Sequence, residues 1–573
     1  MSDTAAATSA PTSAAVAAAR PLEDGFVPYP ADVAARYRTG GAWTERSIAE
    51  AFHTVAASRP DHPAIVSEGV MLTFAELDLR TDRFAAGALA LGLRPGDPVL
   101  LQVHNSALAV VTWYGLLKAG LVPVCTLALH RRHEIGEISR RTRAVAHLVD
   151  ATPVRAGRGF DLVAFACKER DGHPSVRHVL TIGAGKREGT TPVENLGADI
   201  PADEARRAVE AVQADVRDDS IAVFQLSGGT TGVPKVIPRL QAEYWYNARL
   251  YAGRLGWDGS ERVGYVGPVM HNAGIICGVH GPHTVGATAV LGTPDLTGIT
   301  PLLVEQEATD IVLGPFAYDV ATDPGLAQAT ALKRVVLSGK KIPAEAFDTL
   351  EARGVWSGQL FGMGEGLCIT TPLDAPREVR ATTIGVPLSP FDEIKVLDPG
   401  TENPTPPGQP GELCGLGPYT LRGYYDADDH NANAFTSDGF YRTGDLVAYR
   451  VIDGMGCYSV EGRIKDLINR GGEKINAEEV ENLLVAHPDI TDAAVVAMPD
   501  GRLGERAAAF LVGRRRLDIT EIQAHLDGLG VSKYKWPERL EWLDEMPRAS
   551  QVGKTDKKRL RAIVAETPRI DRP

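Results

Sequence analysis

Helical and strand patterns alternate along almost the whole chain, and this alternation limits the possible fold more than any other feature. Residues 44–59 carry apolar side chains at helical spacing (Ile48, Ala51, Phe52, Val55), and an apolar strand begins at Ala64. Residues 74–92 again predict a helix, and 98–104 a buried strand. Strands that alternate with helices build largely parallel sheets covered by those helices, so the predicted class is α/β. No period of roughly 20–50 residues repeats, which argues against a solenoid.

The most apolar stretch, 106–129, tests the alternative of a membrane span. Lys118 interrupts it, and Gly115, Gly120 and Pro123 divide it into a helix over 108–118 and a strand over 121–126. A spanning helix needs about 20 unbroken apolar residues, so both pieces are assigned to a protein core and no membrane partner is expected. With 60 Lys and Arg against 73 Asp and Glu, the net charge is −13. That balance lacks the basic excess that binds nucleic acid. The cysteines, Cys125, Cys167, Cys277, Cys368, Cys414 and Cys457, lie far apart with no C-x-x-C pair. Their spacing is neither a disulfide framework nor a zinc site, and it suits a reducing cytoplasm. Residues 1–24 begin with a run of Ala, Ser and Thr that has no basic residue before Arg20. They lack the charged start and Leu-rich centre of a signal peptide and read as a disordered leader.

A domain boundary is expected near 462–466. Before it, 449–460 reads as two strands turning at Asp453 and Gly454. Beyond it comes a compact pattern: a helix over 477–486, strands over 492–498 and 507–512, a helix over 520–529 and a strand over 539–543. The predicted organisation is a large domain over 25–464 and a small α+β domain over 465–573, each long enough for its own core.

The segment Phe224-Gln-Leu-Ser-Gly-Gly-Thr-Thr-Gly-Val-Pro-Lys235 carries the most chemistry. An apolar strand over 221–226 runs into Ser227, Gly228, Gly229, Thr230, Thr231 and Gly232, then Lys235. Glycines let the backbone approach closely, and successive N–H groups with three hydroxyls can surround a polyphosphate that the lysine neutralises. The P-loop of kinases needs Gly-Lys-Ser/Thr in direct succession. Here Lys235 stands three residues after Gly232, so this is a different loop.

Ser227–Lys235 resembles the phosphate-loop signature of the adenylate-forming superfamily, and further signatures follow in order over 25–560. Gln359-Leu-Phe-Gly-Met-Gly-Glu-Gly366 and Asn469-Arg-Gly-Gly-Glu-Lys474 are most similar to the aryl acid–AMP ligases, which activate 2,3-dihydroxybenzoate or salicylate. The resemblance implies ATP and Mg²⁺ as cofactors, with Glu365 beside the metal and Gly362 and Met363 beside the nucleotide. Asp445, in Tyr441-Arg-Thr-Gly-Asp445, would bind the ribose hydroxyls, since a carboxylate accepts two O–H donors at once. Arg463 would contact the ribose, and Lys465 would be the hinge. Val336-Leu-Ser-Gly-Lys-Lys341 stands at the adenine-binding turn, with Gly339 kept, Ser338 in place of a glycine and Lys340 in place of a small residue. Lys340 then either points to solvent or reads a substituent in the acyl pocket.

Lys554, in Pro547-Arg-Ala-Ser-Gln-Val-Gly-Lys554, matches the lysine of the adenylation step. Negative charge builds on the α-phosphate and pyrophosphate as a carboxylate attacks, and a mobile lysine with Mg²⁺ stabilises it. In the acyl pocket the resemblance places His271 near the carboxylate and Asn272 against the ortho substituent of the ring. Ala273 stands where tyrosine is common, which widens the pocket, and Cys368 where valine or leucine is frequent. Cys277 falls where salicylate ligases tend to carry cysteine and dihydroxybenzoate ligases serine. A thiol is a weak hydrogen-bond partner, which favours salicylate, 2-aminobenzoate or a hydroxylated relative. The acyl acceptor implied is a carrier-protein phosphopantetheine thiol, with coenzyme A as the alternative. A non-catalytic binder of aryl acid or aryl-AMP is a further alternative, although it would have no need of Lys554.

Overall fold

The computed structural model describes residues 22–151, 160–173, 175–183, 187–227, 234–293, 295–339, 342, 344–470, 473–529, 531–549 and 554–566. Two mainly parallel sheets form the body of the molecule. The first orders its nine strands Val386–Pro387, Cys368–Thr370, Trp356–Gly362, Arg334–Ser338, Asp310–Leu313, Arg262–Tyr265, Thr288–Leu291, Pro63–Ser67 and Val70–Thr73. The five neighbouring pairs from Trp356–Gly362 to Pro63–Ser67 are parallel and the edge pairs antiparallel. The second sheet has seven strands, Thr191–Pro192, His178–Ile182, Ala146–Asp150, Pro98–Gln102, Val122–Cys125, Ile221–Leu226 and Val236–Leu240, with only the last pair antiparallel.

The predicted helices form where their capping residues allow. Ser47 Oγ accepts from Glu50 N (3.2 Å) and starts the helix Ile48–Ser58. Thr73 and Glu76 close a reciprocal capping box that starts Phe74–Ala90. Such a box satisfies two donors that the first helical turn leaves without partners. The apolar stretch resolves into the helix Ala107–Lys118 and the strand Val122–Cys125. Every residue of that helix except Leu108 is buried. Lys118 is buried too, and its ammonium donates to Asp78 Oδ1 (2.6 Å) and Asp82 Oδ1 (2.5 Å). A buried charge is tolerated when it is paired and hydrogen-bonded in this way. Among the described residues no helix is long and apolar enough to cross a membrane.

One boundary needs correction. The leader was expected to reach residue 24, but Leu22–Gly25 forms a 3₁₀ turn. Leu22 and Phe26 pack against the cluster of Leu100, Val124, Phe224 and Tyr425, and that apolar contact orders the segment.

A four-stranded antiparallel sheet follows, Glu393–Leu397, Gly411–Leu416, Tyr441–Ile452 and Met455–Arg463. Its last hairpin turns at Asp453 and Gly454, both with positive φ (49° and 81°), as the tight turn demands. The hairpin extends well past the predicted 449–460 at both ends. The remaining sheet comprises Glu473–Asn476, Leu467–Arg470, Gly504–Gly513 and Ile490–Asp500, with Arg539–Trp542 paired to Gly504–Gly513. Helices Ala477–Val485 and Ile519–Gly528 bury Val480, Leu484, Ile522 and Leu526 against it, a core separate from those of the larger sheets.

Candidate active site

Four loops converge from the carboxyl ends of parallel strands, where open α/β sheets bind ligands. Ser227 follows Ile221–Leu226, Val266 to Ala273 follow Arg262–Tyr265, Gly339 follows Arg334–Ser338, and Met363 to Gly366 follow Trp356–Gly362. Ser227 and Lys235, the ends of the segment expected from sequence to bind phosphate, are joined by two bonds. Ser227 N–H donates to the Lys235 carbonyl (2.9 Å), and Lys235 N–H donates to Ser227 Oγ (2.9 Å). Gly228, Gly229, Thr230 and Thr231 lie outside the described residues, as does Lys340.

The Lys235 ammonium donates to His430 Nε2 (2.9 Å) and lies 4.2 Å from the centre of the Tyr424 ring. Burial lowers its pKa and the charge of Lys465 adds to this, while Glu365 acts in the opposite sense. Glu365 is buried, and the Tyr424 hydroxyl donates to its Oε1 (2.7 Å) and stands 2.8 Å from the Tyr441 hydroxyl. The carboxylate is held by the turn that Gly366 N–H closes onto the Met363 carbonyl (3.0 Å). Gly366 has φ +108°, and a Cβ there would fall 1.6 Å from the Tyr419 carbonyl oxygen, so only glycine fits. Among the described residues no cluster of three metal-binding side chains exists. One hard oxygen donor is nevertheless the protein share that Mg²⁺ needs when phosphates and waters supply the rest, and Glu365 fits that role.

The hairpin register brings two separate signatures together. Asp445 and Arg463 are cross-strand partners, and Arg463 Nε lies 2.8 Å from Asp445 Oδ1. Burial raises the Asp445 carboxyl above its ordinary range while the Arg463 charge opposes that shift. Lys465 follows in the 3₁₀ turn Ile464–Asp466, and its carbonyl accepts from Arg561 Nη2 (3.4 Å).

The Lys554 carbonyl accepts from Ala549 N–H (2.8 Å), next to the bridge between Arg548 and Thr555. Lys554 is an exposed residue, but its ammonium lies close enough to the protein for burial and neighbouring charges to act on it. Burial lowers its pKa first, followed by the charges of Arg463 and Lys465, with Asp445 and Glu365 opposing. The same ammonium and, more strongly, burial push the His271 imidazole down to about 4. His271 is therefore neutral at pH 7. Lys554, Arg463, Asp445, Lys465, Glu365 and His271 thus share one cleft.

The segment after Ala273, expected from sequence to border the acyl group, winds into a π-helix over Gly274–His280, the i−5 pattern continuing through Gly281 N–H to the Ile276 carbonyl. Such turns are rare and recur at functional sites. Ala273 leads into it, half-buried, and Cys277 lies inside it. Cys277 and Cys368 are both buried. Burial pushes the Cys277 thiol up to about 12, so it stays a neutral thiol.

Residues 52–425 match the AMP-binding enzyme family, and residues 479–564 match the AMP-binding enzyme C-terminal domain. The chain belongs to the AMP-binding enzymes. Within this adenylate-forming family it is 39% identical over 553 residues to a salicylyl-CoA synthase / salicylate adenylyltransferase of a Streptomyces species, covering 94% of this chain and 98% of that one. It is 36% identical to the 2,3-dihydroxybenzoate-AMP ligase of Bacillus subtilis, over 95% of this chain and 98% of that protein. Among solved structures, apo MbtA of Mycobacterium smegmatis superposes with a TM-score of 0.71 at 36% identity, covering 94% of this chain and 99% of that one.

Several residues of this AMP-binding enzyme's cleft were not singled out from sequence. Tyr424 and His430 flank Lys235, and no spacing rule ties them to it. Arg239 carries no motif that marks it in the sequence, yet its guanidinium is buried and paired with Glu243. Asn105 was likewise unmarked. Its Nδ2 donates to the carbonyls of Gly267 and Gly292 (both 2.7 Å), and its Oδ1 accepts from Val269 N–H (2.8 Å), which fixes the loop leading to His271.

Proposed function

We propose that this enzyme activates an ortho-substituted aryl acid, salicylate or a close relative, with ATP, and then passes the aryl group to a thiol. In the first step an oxygen of the substrate carboxylate attacks the α-phosphorus, forming the aryl–adenylate bond. The bond from that phosphorus to the bridging oxygen breaks, and pyrophosphate leaves with the electron pair. Lys235 and the backbone around Ser227 suit the outer phosphates, and Lys554 suits the charge that builds on the α-phosphate. Asp445 and Arg463 suit the ribose, and Gly339, Gly362 and Met363 suit the purine side of the nucleotide. Mg²⁺ bound by Glu365 and the phosphates would neutralise charge on the triphosphate.

One observation carries this reading. The ammonium of Lys554, from the small C-terminal unit, stands in the same cleft as Asp445, Glu365 and His271. A simple binder of aryl acids has no use for a cation there. Neutral His271 and the half-buried Asn272 amide beside it offer polar contacts to a carboxylate and its ortho neighbour. The neutral thiols of Cys277 and Cys368 offer the ring a weakly polar floor.

The second step needs rotation about Lys465, so that Lys554 withdraws and another face of the small domain approaches. Such closures run on the μs–ms scale. A carrier-protein phosphopantetheine thiol is the proposed acceptor. Coenzyme A is a second reading, favoured by the salicylyl-CoA synthase named among the relatives.

The test is aryl acid-dependent exchange of pyrophosphate into ATP across a panel of benzoates. Exchange with 2-hydroxybenzoate that falls about 10²–10³-fold in Lys554→Ala is expected from losing one electrostatic stabiliser of the transition state. Wild-type exchange in that variant, or exchange with aliphatic acids alone, would refute the assignment. Thioester formation assayed with coenzyme A and with a carrier protein separates the two acceptors.

A further inference from the structure

The guanidinium of Arg239 sits where three parts of the cleft meet. Its strand, Val236–Leu240, leaves the phosphate loop at Lys235. Nε and Nη2 donate to the two oxygens of Glu243 (2.9 and 2.8 Å), a bidentate pair buried on both sides. Nη1 then donates to Asn272 Oδ1 (2.9 Å) in the acyl pocket and to the Gly364 carbonyl (3.2 Å) in the turn that carries Glu365. The Tyr244 hydroxyl lies 3.1 Å from the same Oδ1 and accepts from Gln225 Nε2 (3.0 Å), so its one proton goes to Asn272.

These partners settle the polarity of the Asn272 amide. A guanidinium has only donors, so the atom facing it must be the amide oxygen. The Met363 carbonyl has only lone pairs, so the atom 3.2 Å from it must be Nδ2. Oδ1 is occupied by two donors and one N–H of Nδ2 is spent. The second N–H is what the half-buried side chain has left for a ligand.

We infer that Arg239 is a positioning residue that locks Asn272 as a donor toward the ring, so that the pocket selects aryl acids with a hydrogen-bond acceptor at the ortho position. This rests on the aryl acid reading above. A phenolic oxygen whose proton turns toward its own carboxylate is such an acceptor. The nitrogen of an aryl amine is a poor one, because its lone pair is delocalised into the ring. Of the substrates open from sequence, 2-hydroxybenzoate fits the locked amide and 2-aminobenzoate does not.

The experiment measures kcat and KM of pyrophosphate exchange with 2-hydroxybenzoate, 2-aminobenzoate and benzoate. It compares the wild type with Arg239→Lys, which keeps a cation against Glu243 but lacks the fork that reaches Asn272, and with Tyr244→Phe. The wild type should prefer the hydroxy acid over the amino acid by about tenfold, the worth of one well-made hydrogen bond. In Arg239→Lys the loss of the Gly364 contact lowers kcat for all three acids alike. The KM for 2-hydroxybenzoate should also rise about tenfold and its preference over 2-aminobenzoate should collapse. Tyr244→Phe, a milder change that keeps the ring, should reduce the preference by about threefold and leave benzoate within about twofold. If Arg239→Lys does not fold, Tyr244→Phe decides the matter. An equal loss for all three acids with the preference intact would overturn the inference while leaving the aryl acid reading standing. So would a wild type that prefers 2-aminobenzoate. No exchange with any of the three by the wild type would instead overturn the aryl acid reading itself.

Discussion

Replacing Gly366 by alanine isolates how far the Glu365 turn depends on a backbone that lacks a Cβ. At φ +108° the substitution costs about 1–2 kcal/mol in backbone strain alone. The larger effect is steric. The new Cβ would lie 1.6 Å from the Tyr419 carbonyl oxygen, 2.6 Å from its carbon and 3.1 Å from Thr420 Cα. All three are backbone atoms that no rotamer change can move aside. Restoring even the shortest tolerable contact, about 3.0 Å, displaces one chain from the other by more than an ångström. The Glu365 carbonyl accepts from Leu421 N–H (2.9 Å), so the displacement falls on the peptide that carries the carboxylate. A misplacement of about 1 Å at a reacting centre costs about 10²-fold in rate. Pyrophosphate exchange in Gly366→Ala should therefore fall by about two orders of magnitude. The control is Gly408→Ala, where φ is +83° and nothing lies within 4 Å of the added Cβ. It should show the strain cost in a thermal or urea melt and keep wild-type exchange. Near-wild-type exchange in soluble Gly366→Ala would refute the argument, as would losses of the same size in both variants.

Two further outcomes follow from the Asp445–Arg463 pair and from a buried histidine. Arg463→Ala should lower stability in urea by about 1 kcal/mol, a figure discounted because Arg463 is 42% exposed and solvent screens the pair. A double-mutant cycle with Asp445→Asn should recover most of that as coupling, and a coupling near zero would disprove the pairing. The His283 imidazole accepts from the Tyr114 hydroxyl at Nδ1 (2.8 Å) and donates to the Ala64 carbonyl from Nε2 (2.9 Å), and burial pushes its pKa down to about 4. Its folded pKa lies below the unfolded value of about 6.5, so the stability it contributes is present above pH 6.5 and is lost as pH falls toward 4. The full loss amounts to about 3 kcal/mol. Urea midpoints at pH 7 and pH 5 should show the decline, and a His283 resonance titrating near 6.5 in the folded protein would contradict it.

The alternating layout was legible because apolar periodicity acts locally. The apolar spacing of Ile48, Ala51, Phe52 and Val55 and the breaks at Gly115, Gly120 and Pro123 mark elements that the structure builds. The caps Ser47, Thr73 and Ser106, unmarked from sequence, set where three helices begin. Motifs whose chemistry is local to the chain, such as Ser227 with Lys235, were equally readable. Register across strands was not. Asp445 and Arg463 were read as two independent signatures because the expected hairpin, 449–460, stops short of both, and the register shift between Leu446 and Val447 that aligns them has no mark along the chain. Buried polar networks were hidden for a related reason. Lys118 looked like an interruption of an apolar run, and only the arrival of Asp78 and Asp82 from another helix makes its burial tolerable. Asn105 and Arg239 were invisible in the same way, since each acts through backbone carbonyls contributed by distant loops.

The charge of the cleft runs against that of the molecule. The chain as a whole carries −13, yet Lys235, Lys465, Lys554 and Arg463 face Glu365 and Asp445 in one place. All three lysines are lowered by burial, and each is lowered further by a neighbouring cation. Glu365, Asp445 and, at Lys465, Asp466 oppose the shift but do not cancel it, so the cleft by itself holds its lysines in a state that works against their protonation. A triphosphate supplies the missing negative charge, and each lysine that it keeps protonated returns the favour as binding free energy. The lowered pKa values are therefore a property of the cleft's own cations and their burial, and binding of a polyanion should raise all three lysines together.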